Sequence, residues 1–166
     1  SNFAASPSSV LNADKIIPNN LIDFHNIKQL ITVSSGSSLN FSVFAKASGY
    51  NFLLINTATG SSQGNSGPVI NVLTGQIVGT FGSTNYNAKV VSLLNGWFRV
   101  DFTFLTNGTT VSVDLNPLPT SSISSYSGNG TSGVLIWGYS VVAGNSVSSY
   151  IPTVASAVTR NADVIT

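Results

Sequence analysis

Hydrophobic and polar residues alternate with a period of two along most of this chain. In residues 97–105, one face of the alternation carries Phe98, Val100, Phe102 and Phe104, and the other carries Trp97, Arg99, Asp101 and Thr103. Residues 41–46 alternate in the same way, and residues 52–55 form a more evenly apolar run. A period of two is typical of a β-strand with one buried face. The pattern therefore predicts antiparallel sheets in which the four apolar residues of 98–104 face the core.

Short glycine-containing turns separate the strand-like segments. They occur at Ser35-Gly36, Ser48-Gly49, Thr74-Gly75, Asn95-Gly96, Asn107-Gly108, Asn129-Gly130 and Ala143-Gly144. Many short strands joined by such turns are typical of a sandwich or jelly roll. We therefore predict an all-β fold, an antiparallel two-sheet jelly-roll β-sandwich. The length of 166 residues is that of a single domain, which we take to span residues 1–166 with a short N-terminal extension at 1–12.

Two segments are too polar and glycine-rich to be predicted as strands. They run from Thr57 to Gly67 and from Asn116 to Gly133. Long polar loops on a rigid scaffold are the usual place of recognition. The alternative interpretation is that both loops are tolerated insertions without a binding role.

The composition restricts the partners of the chain. Only 7% of its residues are charged and Glu is absent, so the surface must consist mainly of Ser, Thr, Asn and Gly. Low charge protects poorly against association, and we expect a homo-oligomer. A net charge of +1 without a basic cluster argues against nucleic-acid binding. No apolar run is long enough for a membrane span, and the absence of Cys excludes disulfides and thiolate metal sites.

The inventory of reactive side chains argues against catalysis. The acidic residues are the five aspartates at 14, 23, 101, 114 and 163, and no two are neighbours in sequence. His25 is the sole histidine, and no G-x-S-x-G motif accompanies it. We therefore expect no enzymatic activity, no cofactor and no zinc site. Structural calcium could be held by carbonyls and an aspartate, but no acidic loop indicates such a site.

Binding to carbohydrate is the remaining chemistry that the residues suggest. Sugars are held by aromatic faces together with polar side chains that hydrogen-bond to hydroxyl groups. The polar face of residues 97–103 offers Trp97, Arg99 and Asp101, and the loop aromatics Tyr50 and Tyr126 are further candidates. A structural alternative stays open, in which Arg99 and Asp101 brace each other and Trp97 caps the sandwich.

The last third of the chain carries the most specific pattern. A strand-like run from Val134 to Val142, with Trp137 and Tyr139 expected on one face, is followed by Tyr150-Ile151-Pro152-Thr153 and then Thr159-Arg160. Together with Asn95-Gly96-Trp97-Phe98-Arg99 upstream, this ending resembles the jelly-roll domains of bacteriophage tail, fibre and other virion proteins. Those domains are in turn similar to carbohydrate-binding modules with a concanavalin-like sandwich.

The resemblance implies a function and a setting. It implies a non-enzymatic virion structural domain, in a tail fibre, tailspike or capsid decoration, that contacts other virion subunits and, as a further expectation, host cell-surface polysaccharide. A fibre would favour a trimer, and the chain would be a piece of a longer protein in the extracellular particle. The alternative is a carbohydrate-binding module of a secreted polysaccharide-degrading enzyme.

Overall fold

The computed structural model describes residues 3–62, 64–82 and 86–145 and has an all-β fold of antiparallel sheets. In these residues one short 3-10 helix, Leu94–Gly96, is present and no α-helix. The strands are β1 (Ala4–Ala5), β2 (Leu11–Ile16), β3 (Ile22–Asp23), β4 (Leu30–Thr32), β5 (Ser38–Ser48), β6 (Phe52–Thr59), β7 (Gly67–Asn71), β8 (Gln76–Phe81), β9 (Lys89–Ser92), β10 (Phe98–Leu105), β11 (Thr110–Leu118), β12 (Tyr126–Ser127) and β13 (Gly133–Ala143).

The described strands form two larger sheets and one small one. The six-stranded sheet has the order β1-β2-β13-β5-β10-β9, and the five-stranded sheet has the order β4-β11-β6-β7-β8. Strands β12 and β3 form a separate pair. Each of these strand pairs is antiparallel. The predicted antiparallel all-β class is therefore confirmed.

The main hydrophobic core takes side chains from both larger sheets. The six-stranded sheet contributes Phe41, Val43, Val100, Phe102 and Phe104, and the five-stranded sheet contributes Leu53, Ile55, Val111, Val113 and Leu115. Phe98, the remaining member of the predicted inward face of β10, is also buried and lies outside this cluster. The period-two assignment of β10 is therefore confirmed.

Two smaller apolar clusters lie outside the main core. In one, Trp97 and Leu135 are buried with Ala13. In the other, Leu54, Val69 and Leu118 are buried against Phe52, Phe81, Ile123 and Tyr126. Neighbouring residues of a strand point to opposite faces, and Leu54 lies between Leu53 and Ile55 of the main core. Both sides of the five-stranded sheet are thus partly covered, which explains why residues 52–55 are evenly apolar.

A β-bulge in β13 changes the faces that the sequence pattern predicts. Trp137 pairs with Phe44 and Ser140 pairs with Ser42, so β13 has one more residue than β5 at this point. Gly138, inside the bulge, has φ 63°. An extra residue shifts every later side chain to the other face. Trp137 therefore packs in the Trp97 cluster while Tyr139 packs on the main core, and the expected common face is wrong.

The predicted turns are more accurate than the predicted loops. Six of the seven turn glycines, all except Gly108, have positive φ, a conformation that glycine adopts without strain. The loop boundaries are wrong, because β6 continues to Thr59 and β11 continues to Leu118. Asn116 pairs with Leu54 inside the sheet. The polar character of these positions reflects a polar strand face and not a loop.

Near the N-terminus, β1 pairs with β2, so residues 4–5 and 11–12 belong to the six-stranded sheet. The predicted motifs at residues 150–153 and 159–160 lie outside the described residues. In the described part of the chain, no helix is long and apolar enough to cross a membrane.

Candidate functional site

Arg99 and Asp101 lie on the outer face of the six-stranded sheet, next to a second positive charge. Asp101 pairs with Ser42 of β5 and with Lys89 of β9. The Asp101 side chain is only 7% exposed. Burial raises the pKa of this carboxyl, while the charges of Arg99 and Lys89 oppose the rise. The Arg99 guanidinium carbon lies 5.6 Å from the centre of the Phe44 ring. This arrangement matches the bracing alternative considered from the sequence.

The predicted aromatic platform beside these residues is covered. Trp97 is 2% exposed in its apolar cluster, so its ring offers little surface on which a sugar could stack. A cavity of about 380 Å³ does adjoin Asp101, lined also by Asn40, Lys89 and Thr103. The two aromatic residues that line it, Tyr86 and Phe102, are buried in the main core.

The other two predicted residues, Tyr50 and Tyr126, meet at a different place. Their ring centres are 5.8 Å apart, and the Tyr126 ring is also 4.8 Å from that of His25. The Tyr126 hydroxyl donates a hydrogen bond to the Pro117 carbonyl oxygen, and burial raises the pKa of Tyr126. His25 Nε2 is 3.0 Å from the Tyr126 carbonyl oxygen. These contacts attach the segment around His25 to the five-stranded sheet.

A second cavity, of about 270 Å³, lies on the outer face of the five-stranded sheet. Its polar walls come from Asn56 of β6, Asn65, and Asp114 and Asn116 of β11. Phe24, Phe81, Leu54, Ala58, Asn26 and Ile123 complete it. We call this cavity the Asp114 groove. Four of its residues, Ala58, Asn65, Asn116 and Ile123, lie in the two polar segments predicted as possible recognition loops, while Asp114 and Phe24 were not among the predicted binding residues.

The backbone places the polar groups of the groove side by side. Asp114 pairs directly with Asn56 across β11 and β6, and directly opposite residues of an antiparallel pair lie on one face. Asn65 lies in the loop before β7, which is held to β6 where the Thr57 amide donates to the Ser66 carbonyl oxygen at 2.9 Å. Strand β6, the loop that soon follows it, and β11 from much later in the chain therefore converge on one small volume.

Three asparagine side chains form a chain of hydrogen bonds in the groove. Asn116 Nδ2 donates to Asn56 Oδ1 at 2.7 Å, and Asn56 Nδ2 donates to Asn65 Oδ1 at 2.5 Å. The Asn56 amide oxygen thus accepts one hydrogen bond and its amide nitrogen donates another. These two bonds leave one group at each end of the hydrogen-bond chain. The Asn116 amide oxygen is an acceptor at one end, and the Asn65 amide nitrogen is a donor at the other.

Asp114 is the most unusual group of the groove. Its side chain is 3% exposed, and Oδ1 is buried without a hydrogen-bond partner anywhere in the described structure. Burial raises the pKa of this carboxyl, while the Ser112 hydroxyl nearby and the charge of Lys28 oppose the rise. A buried polar atom without a partner is costly in a folded protein. Asp114 also lines the cavity, so a hydrogen-bond donor on a ligand bound there would meet a buried, incompletely satisfied carboxylate.

Aromatic side chains stand beside these polar groups. Phe24 is 56% exposed, and its amide donates to Asp23 Oδ1 at 2.7 Å. Phe81, at the end of β8, is half-buried. A small cavity with apolar walls and a few convergent polar groups has the character of a small-ligand site. The groove can accept hydroxyl hydrogens at Asp114 and Asn116 and pack aliphatic C–H groups against phenyl rings.

A signal for this groove is present in the sequence. Ser112, Asp114 and Asn116 alternate with Val111, Val113 and Leu115 in the same way that residues 97–103 alternate. The polar run after Asn116 hides this pattern, because it predicts a loop. The partners on β6, on the Asn65 loop and beside Phe24 have no local signal, because only the sheet register brings them together.

Within residues 3–62, 64–82 and 86–145, no three His, Asp or Glu side chains cluster in a way that could hold an ion. Comparison with models of known protein families gave no match, and comparison with curated proteins gave none.

Proposed function

We propose that this chain is a non-enzymatic glycan-binding domain of a bacteriophage virion, and that the Asp114 groove is its binding site. The observation that carries the proposal is the buried Asp114 carboxylate, whose Oδ1 has no hydrogen-bond partner, in the wall of a cavity that also holds amide groups and an exposed phenyl ring. Carboxylate and amide side chains beside an aromatic ring are the combination that suits a sugar, which has hydroxyl groups on its edges and C–H groups on its faces.

The virion setting is proposed on separate grounds. It rests on the resemblance of the chain to phage jelly-roll domains and on the low charge of 7%, which suits a permanent assembly better than a crowded solution. We further propose that the two larger sheets form a jelly-roll sandwich, which is supported by a core that draws on both sheets.

Self-association is part of the same proposal. The segment from 21 to 30 exposes large apolar side chains, among them Leu21 at 67% and Ile22 at 79%. Contiguous exposed apolar surface is typical of interaction sites. We expect contacts with other virion subunits and a homo-oligomer, with a trimer if the domain belongs to a fibre.

The binding test compares two phenylalanines of equal exposure. Phe24 is 56% exposed in the groove, and Phe3 is 54% exposed beside Lys15, whose Nζ lies 5.2 Å from its ring centre. On a glycan array probed with a multivalent form of the domain, Phe24→Ala should weaken binding by about 1–3 kcal/mol, by analogy with aromatic stacking in other ligands. Phe3→Ala should leave binding unchanged.

A negative result has a defined meaning. If the multivalent parent domain binds no host glycan, the adhesion role is wrong and a purely structural virion role is retained. If Phe3→Ala weakens binding and Phe24→Ala does not, the groove is the wrong site. A catalytic domain encoded upstream would favour the module of a secreted enzyme, while a fibre shaft or coiled coil would favour the virion.

A further inference from the structure

The charge of the Asp114 groove determines which kinds of sugar it can bind, and the proposed function does not specify them. Its single ionisable group is a carboxyl, since the remaining polar walls are the amides of Asn26, Asn56, Asn65 and Asn116. The Asp114 side chain has almost no contact with solvent. A charge without water around it is sensitive to any second charge placed close to it.

We infer that the Asp114 groove selects uncharged sugar units, which donate a hydroxyl hydrogen to the Asp114 carboxylate, and that it discriminates against acidic sugars. This inference rests on the proposed glycan-binding function and names the ligand class of the same site. A hydroxyl group donates to a carboxylate in a charge-assisted hydrogen bond, which is stronger than a neutral one. A carboxylate, sulfate or phosphate supplies no hydrogen and brings a like charge to the same wall.

The amide chain reinforces this preference. A hydroxyl group is both a donor and an acceptor, so neighbouring hydroxyls of one ring can donate to Asp114 and Asn116 and accept from the Asn65 amide nitrogen. An anionic group only accepts, and Asn65 Nδ2 is the one amide donor that lies at an end of the chain of bonds. A ligand whose groups both donate and accept hydrogen bonds can therefore make more hydrogen bonds in the groove than an anionic ligand.

The nearest positive charge, that of Lys28, does not make the groove favourable for an anionic ligand. Lys28 is exposed and interacts with Asp114 electrostatically, so it offsets part of the carboxylate charge from the solvent side. Exposed charges are strongly screened by water and salt. Lys28 is also absent from the walls of the cavity, so an anionic ligand inside the groove would meet the carboxylate first.

The test uses ligands that differ in charge and little in shape. Immobilised hexosides, the corresponding hexuronosides and the methyl esters of those hexuronosides are probed with the multivalent parent domain. The parent should bind the hexoside and the ester, and bind the hexuronoside at least about tenfold more weakly, the factor that corresponds to one pKa unit of like-charge interaction. The ester separates the effect of charge from that of size.

Asp114→Asn provides the matching change on the protein side. The substitution keeps the shape of the side chain and an acceptor oxygen but removes the charge. The difference between hexuronoside and ester should then fall to less than about threefold, because only the screened Lys28 charge remains to act on the ligand. The control is Asp14→Asn, an exposed residue of β2 in the other sheet, which makes the same change in net charge and should keep the full discrimination.

The outcomes separate this inference from the proposed function. Equal or tighter binding of the hexuronoside by the parent overturns the charge selectivity and leaves glycan binding intact. Unchanged discrimination in Asp114→Asn, with thermal unfolding showing a folded variant, overturns the role of Asp114. If the parent binds none of the three ligand types, the proposed function and this inference fail together.

Discussion

Two buried aspartates on opposite sheets of this protein have very different surroundings. Asp101 on β10 and Asp114 on β11 are 7% and 3% exposed, and burial raises the pKa of both carboxyls. At Asp101 the charges of Arg99 and Lys89 oppose the rise. At Asp114 the Ser112 hydroxyl and the charge of Lys28 oppose it, and Oδ1 has no hydrogen-bond partner.

Asp101 has the surroundings of a structural charge, whereas Asp114 has those of a charge in a ligand site. Around Asp101 the strand register supplies a counter-charge from β9, and the nearby aromatic ring of Trp97 is buried. Around Asp114 the register supplies an amide from β6, which can neither neutralise the carboxylate nor satisfy all of its oxygens. The same residue type on the same kind of strand face can therefore have either role.

Disruption of the main hydrophobic core, which lies between the two larger sheets, should have the largest effect on stability. Phe102 is 3% exposed and contacts Phe41 and Tyr86, so Phe102→Ala should lower the free energy of unfolding by about 3–5 kcal/mol. Leu105, in the same strand but 48% exposed, gives the control Leu105→Ala, for which we expect less than about 1 kcal/mol. Denaturant melts measure both. A loss of less than about 1 kcal/mol for Phe102→Ala would contradict the assignment of the inward face.

Removing each aspartate charge tests the comparison directly. Asp101→Asn removes a carboxylate whose charge Arg99 and Lys89 partly offset, so the free energy of unfolding should rise less than in Asp114→Asn, or fall by up to about 1 kcal/mol. Asp114→Asn removes a buried charge that lacks full compensation, so stability should be unchanged or higher. Urea unfolding at pH 7 distinguishes the two variants. Equal changes in stability for both substitutions would show that the two sites are alike.

The bulge in β13 belongs to the six-stranded sheet alone. Gly138→Ala forces a residue with a Cβ atom into φ 63°, which should destabilise the protein by about 1–2 kcal/mol. Gly79→Ala is the control, because its added Cβ would meet only Val69 at an ordinary contact distance of 4.0 Å. Thermal melts give the stability, and glycan binding at the Asp114 groove should be unchanged in both variants. Loss of binding in folded Gly138→Ala would link the two faces.

The smallest expected effect is the dependence of stability on pH. A carboxyl whose pKa is higher in the folded protein than in the unfolded chain binds its proton more tightly when folded. Asp101 and Asp114 should therefore stabilise the fold as pH falls from their raised values towards 3.8, and this stability is lost again as pH rises through the raised values.

Substitutions of single aspartates show which carboxyl causes the dependence of stability on pH. Asp114→Asn should show a smaller gain in stability on acidification than the parent, while Asp14→Asn should keep the gain of the parent. Unfolding midpoints measured between pH 7 and about pH 4 give the comparison. A steeper gain in Asp114→Asn would mean that the carboxyl is stabilised in its ionised form.

The sequence determined the strand class, the inward face of β10 and most of the turns. Alternation such as that of Phe98, Val100 and Phe102 needs no distant partner, because successive side chains of any strand point to opposite faces. Positive φ at Gly75 or Gly96 is likewise a local property, since glycine is the residue that adopts it without strain.

Tertiary structure alone decided which polar residues share a site. The bulge at Gly138 moves Trp137 and Tyr139 to different clusters, and its position depends on pairing with β5. Asn56, Asn65 and Asp114 meet because β6 pairs with β11 and because the loop before β7 folds onto β6. Local alternation fixes the face of a strand, but the neighbours on that face are set by sheet register between residues far apart in the chain.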